Sequence, residues 1–92
     1  MKSKPHLVDV QVGQAIKYQR LMKRMSQTEL GDRVGVSFQQ IQKYEKGSNR
    51  ISAGKLVDLA KALDVDVKTF FDDLTEVTRS AKNISPANDE FV

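Results

Sequence analysis

Leu56, Leu59, Ala60 and Leu63 recur at i, i+3, i+4 and i+7, the most regular apolar stripe in the chain, with Ser52 placed to start it. That spacing puts all four side chains on one face of an α-helix. Four further segments read the same way. From about Asp9 to Arg24 no proline intervenes, and Val12, Ala15, Ile16, Gln19 and Lys23 share a side. Asp9 is the candidate cap there, and Lys17, Arg20 and Arg24 form a basic flank. In "SQTEL", Ser26 is an N-cap and Glu29, three residues on, completes the signature of a capping box. Leu30 and Val34 follow at helical spacing, and Gly35 stands where a left-handed residue is expected. Ser37 caps a third helix from Phe38 to about Lys46, which Gly47 ends. Asp66 opens a short fifth helix carrying Val67, Phe70, Phe71 and Leu74. Nowhere does strict alternation persist without capping signals around it, so the fold class predicted is all-α with five helices.

The same pattern divides the chain into an N-terminal arm (1–8), a folded domain (9–74) and a polar C-terminal extension or tail (75–92) interrupted by Pro86. With 92 residues there is room for one modest core.

Helices two and three are short, joined by few residues, and the first ends in glycine, which describes a helix-turn-helix. That geometry alone is weak, because many all-α proteins contain such pairs. The third helix says more. At roughly 100° per residue from Phe38, Ile41 and Tyr44 point near 300° and 240°, the side to be buried. Gln42, Lys46, Gln39 and Lys43 fall at about 40°, 80°, 100° and 140°, while Gln40 stands at the margin near 200°. A glutamine amide matches the N6 and N7 edge of adenine, lysine donates to guanine or phosphate, and Phe38 suits a thymine methyl or a sugar. An ordinary solvated helix face accounts for glutamine and lysine equally well on this helix alone.

Charge sharpens the picture slightly. The net charge is only +3, yet between Gln11 and Arg50 the basic residues Lys17, Arg20, Lys23, Arg24, Arg33, Lys43, Lys46 and Arg50 face only Glu29, Asp32 and Glu45. From Asp64 to Glu76 the sign reverses. One face for a polyanion and another turned from it is the arrangement this suggests. There is no cysteine, and His6 is the single histidine, so no metal site or cofactor is implied. Ser26, Ser37 and Ser52 are accounted for as caps and no phosphate loop is present, so an enzyme is not expected. No apolar run approaches a membrane span or a signal peptide, and a soluble cytoplasmic protein is expected.

"SQTELGDRVGVSFQQIQKYEKG" followed by "ISAGKLVDLAKALDVDVKTFF" resembles the lambda-repressor-like helix-turn-helix family, the Xre type of small bacterial and phage regulators. The resemblance runs from about Val12 to Leu74 and rests on Gln27, Leu30, Val34, Gly35, Ile41, Glu45, Gly47, Leu56, Leu59, Ala60 and Leu63. Two positions depart from the family pattern. Gly31 stands where alanine is usual at the helix crossing, and Arg24 stands where a glycine often ends the first helix, implying a strained residue or a different turn.

Joined to the helical geometry, the resemblance implies a set of roles. Gln39 and Lys43, then Gln42 and Phe38, are the candidates for base-edge contacts. Gln27, Lys46, Ser48, Asn49, Arg50 and Lys17 are the candidates for phosphate contacts. Arg20 and Glu45 are implied to form a structural ion pair, as in similar repressors. The function implied is sequence-specific binding of double-stranded DNA by a small repressor. A single short helix reads too few base pairs, so a homodimer on a palindromic operator is expected, with Val67, Phe70, Phe71 and Leu74 as possible dimer contacts. For the two phenylalanines, closure of the domain's own core is an equal alternative. The competing reading is an antitoxin-like interaction module, in which the polar tail binds a protein partner.

Overall fold

The computed structural model describes residues 6–72. Leu74, the extension 75–92 with its proposed protein-binding role, and residues 1–5 of the predicted arm lie outside the described residues. Four α-helices follow one another, α1 (Leu7–Met22), α2 (Gln27–Val34), α3 (Phe38–Lys46) and α4 (Ala53–Leu63), and a 3₁₀ turn (Val67–Phe71) closes the described chain.

The helix starts follow local hydrogen-bonding chemistry. Ser26, Ser37 and Ser52 each sit in extended backbone and accept through Oγ from the N–H three residues on, Glu29 at 2.9 Å, Gln40 at 3.1 Å and Lys55 at 3.1 Å. These bonds satisfy first-turn donors that have no intrahelical partner. Only half of the predicted capping box forms, because the Glu29 carboxylate accepts from Arg33 Nη2 at 3.0 Å. Gly35 (φ 78°) and Gly47 (φ 76°) end α2 and α3 in the left-handed region.

α1 differs from expectation at its start. It begins at Leu7, so Leu7 and Val8 belong to the helix rather than to an arm, and the cap is His6, not Asp9. His6 Nδ1 accepts from Val8 N–H at 3.0 Å. Asp9 sits within the first turn, where its negative charge complements the helix dipole. At the other end Arg24 has φ 56°, the strained conformation anticipated at a position usually held by glycine. Its N–H donates to Leu21 C=O, and Met25 N–H donates to Arg20 C=O, which together close a Schellman turn.

The fifth segment is a single 3₁₀ turn rather than an α-helix. Asp66 Oδ1 accepts from Lys68 N–H as the predicted opening. β-branched Val67 and Thr69 favour helix poorly, and one turn cannot repay helix nucleation, so core contacts set its shape. Phe70 is buried in that core and is removed from the candidate dimer contacts. Phe71 is partly buried against the core, and Val67 alone of the described candidates is exposed.

The core unites every element: Val12 and Ile16 of α1, Met25 of the turn, Leu30 and Val34 of α2, Ile41 and Tyr44 of α3, Leu59, Ala60 and Leu63 of α4, and Phe70. α3 packs against both α1 and α2, while the closing turn packs on α1. Lys55 of α4 donates from Nζ to Val34 C=O at 2.8 Å, placing a positive charge at the C-terminal end of α2.

Two glycines mark close approaches of backbone. A Cβ at Gly13 would lie 2.2 Å from Tyr44 O and 2.7 Å from Glu45 O, so α1 crosses α3 at bare backbone. A Cβ at Gly31 would lie 2.5 Å from Val36 O. The family departure at Gly31 therefore permits a tight return of the turn onto α2. Helix propensity alone would make Gly13→Ala stabilising by about 1 kcal/mol. The carbonyls leave no room, and the expected outcome is a loss of roughly 1–3 kcal/mol. Urea denaturation of the two proteins measures the sign.

Candidate nucleic-acid interface

α3 divides into two faces as its periodicity requires. Ile41, Tyr44 and Glu45 are buried, whereas Phe38, Gln39, Gln42, Lys43 and Lys46 are exposed, and Gln40 is half-buried. The structure thus brings the four candidate base-contact residues and Lys46 onto one solvent-facing side of the helix. Amide and ammonium groups there present donors along the whole face, with the amide acceptors of Gln39 and Gln42 in its N-terminal half.

What holds this face outward is a buried polar cluster at the end of α3. Arg20 and Glu45 are only 7% and 5% exposed. Arg20 Nε donates to Glu45 Oε2 at 2.6 Å and Nη2 donates to Oε1 at 3.1 Å, the paired-fork geometry of guanidinium and carboxylate. Arg20 Nη1 also donates to Met25 C=O at 2.9 Å. The predicted ion pair is present, and it has a third member that sequence reasoning missed. Gln27 Nε2 donates to Glu45 Oε1 at 3.0 Å, so the first residue of α2 is tied to the last turn of α3. A primary amide has two N–H donors. With one engaged by Glu45, the other and the carbonyl of Gln27 are left for a ligand.

The remaining candidates fall around this cluster. Lys17 is exposed on α1, one helical turn from both Gly13 and Arg20, and so lies on the side that crosses α3. Arg50 donates from Nε to Asp9 Oδ2 at 3.1 Å while its side chain stays 75% exposed. That contact fixes the stem and leaves the terminal nitrogens of the guanidinium outward. Asn49 is exposed beside it. Ser48 is placed differently from its predicted role: its hydroxyl and its backbone N–H both donate to Lys43 C=O, at 3.2 Å and 3.0 Å. It caps the end of α3, and a phosphate, which only accepts, finds no free proton there. Among the described residues no group of three or more His, Cys, Asp or Glu side chains is placed to hold a metal ion.

A buried ion pair adds little net stability, yet removing one partner strands the other charge. Glu45→Leu is expected to cost about 3–5 kcal/mol, while the double substitution Arg20→Met with Glu45→Leu costs much less than the two single changes together. A double-mutant cycle in urea provides the comparison.

Residues 16–70 match the model of the helix-turn-helix family HTH_3. The chain is 47% identical to the HTH-type transcriptional regulator y4wC of Sinorhizobium fredii, over 99% of this chain and 68% of that protein. The chain spans between 52% and 68% of the length of the first curated relatives it matches. Among solved structures, it is similar to the restriction-modification controller protein C.AhdI of Aeromonas hydrophila, with a TM-score of 0.69, 27% identity, and coverage of 72% of this chain and all of that one. It is also similar to the P22 c2 repressor, solved in complex with a synthetic operator, with a TM-score of 0.61, 29% identity, and coverage of 64% and 89%. No described helix is long and apolar enough to cross a membrane. With its paired short helices, buried Arg20–Glu45 clamp and matched span, the chain belongs to the lambda-repressor-like helix-turn-helix family of Xre-type transcriptional regulators.

Proposed function

We propose that the protein binds double-stranded DNA sequence-specifically as a repressor, with α3 in the major groove. The observation that carries this reading is the segregation of α3: Gln39, Gln42, Lys43 and Lys46 on the open side, with Ile41, Tyr44 and Glu45 clamped beneath them. Gln39 and Lys43 read base edges first, with Gln42 and Phe38 beside them. Phe38 is an exposed aromatic at the N-terminal end of α3, suited to apolar contact with a thymine methyl.

Phosphates are met around that helix. The first-turn N–H groups of α2 and the free amide proton of Gln27 form one anion-facing point. Lys46, Asn49 and Arg50 follow α3, and Lys17 adds a cation from α1. The operator-bound P22 c2 repressor supports DNA as the partner of this architecture. Nine residues of α3 reach only a few base pairs, so a homodimer on a two-fold operator, with half-sites about one helical turn apart, supplies the specificity. Val67 is the described residue that remains as an exposed candidate for that contact.

Selection from a random pool of duplex DNA tests the reading directly: it should return a palindrome, and recovery of no sequence preference would refute it. On the selected site, Gln39→Ala is expected to cost about 1–3 kcal/mol and to relax preference at one base position, leaving non-specific binding nearly unchanged. Equal loss on both DNAs would remove Gln39 from base readout. Arg50→Ala is expected to weaken binding to every sequence and to lower the slope of log K against log salt by about 1, measured by titration at several salt concentrations.

A further inference from the structure

A carboxylate stands where a DNA-facing loop calls for cations. Asp9, in the first turn of α1, accepts through Oδ2 from Arg50 Nε at 3.1 Å, across 41 positions of chain. The backbone on both sides of this contact is held. A Cβ at Gly47 would lie 2.7 Å from Val10 Cα, so the loop after α3 rests directly on the start of α1. Beyond Arg50, Ile51 packs against the core, and with Asn49 it lines a small cavity shared with Val8, Asp9 and Val12. The Asp9 side chain is 20% exposed and that of Arg50 75%, so the acid lies beneath and the guanidinium above it.

Stability does not account for the pair. An ion pair open to solvent contributes little to folding, and Asp9 complements the dipole of α1 without any partner. What the pair changes is the electrostatics of the loop. Beyond a Debye length, about 8–10 Å, the fields of two opposite charges this close largely cancel. Arg50 therefore draws a polyanion from a distance far less than a lone arginine would. Contact range is different. Nε is engaged by Asp9, but Nη1 and Nη2 keep the remaining N–H donors on a planar fork whose direction the carboxylate fixes.

We propose that Asp9 determines specificity, by making Arg50 count in the close-fitted complex with DNA and keeping it from strengthening loose ones. The inference rests on the reading of Arg50 as a phosphate contact. In a loose complex, held by long-range attraction at no fixed register, the paired arginine adds little. In the fitted complex one phosphate lies where the fork points and accepts its hydrogen bonds. Asp9 is thus a positioning residue that acts through Arg50. Removal of Arg50 leaves the carboxylate bare, so binding to every sequence still falls.

Alanine at position 9 frees Arg50 and keeps α1 helical. The unaltered chain, Asp9→Ala, Arg50→Ala and the double variant are titrated at several salt concentrations, with the duplex returned by selection and with a scrambled duplex of the same composition. Asp9→Ala is expected to bind the scrambled duplex about three- to tenfold more tightly, with a salt slope steeper by about 1, and the selected duplex no more tightly. The ratio of the two affinities therefore falls by about the same factor. In the Arg50→Ala background the same change should raise both affinities alike and leave the ratio unmoved. An equal gain on both duplexes with Arg50 in place makes Asp9 a mere charge and overturns the proposal. A fall in ratio that persists without Arg50 overturns it too. Failure of the underlying reading looks different: the unaltered chain then shows no preference between the duplexes, and both ideas fall.

Discussion

The carboxylate of Glu45 fixes where α3 points. It is buried, and a buried charge must be matched at close range. Arg20 supplies that match from α1 and Gln27 adds a donor from α2, so one side chain joins three helices. A helix with only apolar contacts can roll by some degrees at small cost, because dispersion is nearly non-directional. The fork geometry of guanidinium on carboxylate removes that freedom. The cluster thus acts less as a source of stability than as a key that sets the rotation of α3.

Backbone contact complements the key. At Gly13 α1 meets the backbone of α3 so closely that a Cβ would lie 2.2 Å from the Tyr44 carbonyl oxygen. Position along the crossing is set by the carbonyls of Tyr44 and Glu45, and rotation by the charge pair two turns further along α1. The same residues that accept this contact also carry the buried side of α3. The outward direction of Gln39, Gln42 and Lys43 is therefore a consequence of what lies beneath them. Gln27 extends the connection to the start of α2, where one donor of the amide faces inward and another remains for an anion.

Much of this was legible from sequence where the physics is local. Ser26, Ser37, Ser52 and Asp66 cap because their side chains reach a backbone N–H only two or three residues away. The face of α3 followed from its period, and Arg20 with Glu45 followed from the family pattern. Other features depend on partners distant in the chain. Asp9 resembled a better cap than His6, yet its carboxylate turns toward Arg50, some forty positions away. Ser48 carried the composition of a phosphate ligand, but the carbonyl of Lys43 claims its proton. Gly13 had a visible signal, a glycine within a helical stretch, which usually marks a close backbone approach. The fifth helix was misjudged in type because β-branching and length outweigh an apolar pattern of one turn.

Phe70 closes the core from the far end of the described chain, against the helix where that chain begins. A ribosome delivers α1, the charge key and α3 well before it delivers this phenylalanine. Until then Ile16, Leu30, Ile41 and Leu59 meet a partly open interior, and the outward face of α3 has no fixed support. Domains tend to fold as units during synthesis. A nascent chain therefore lacks a fixed outward face on α3 until nearly all of the domain has emerged.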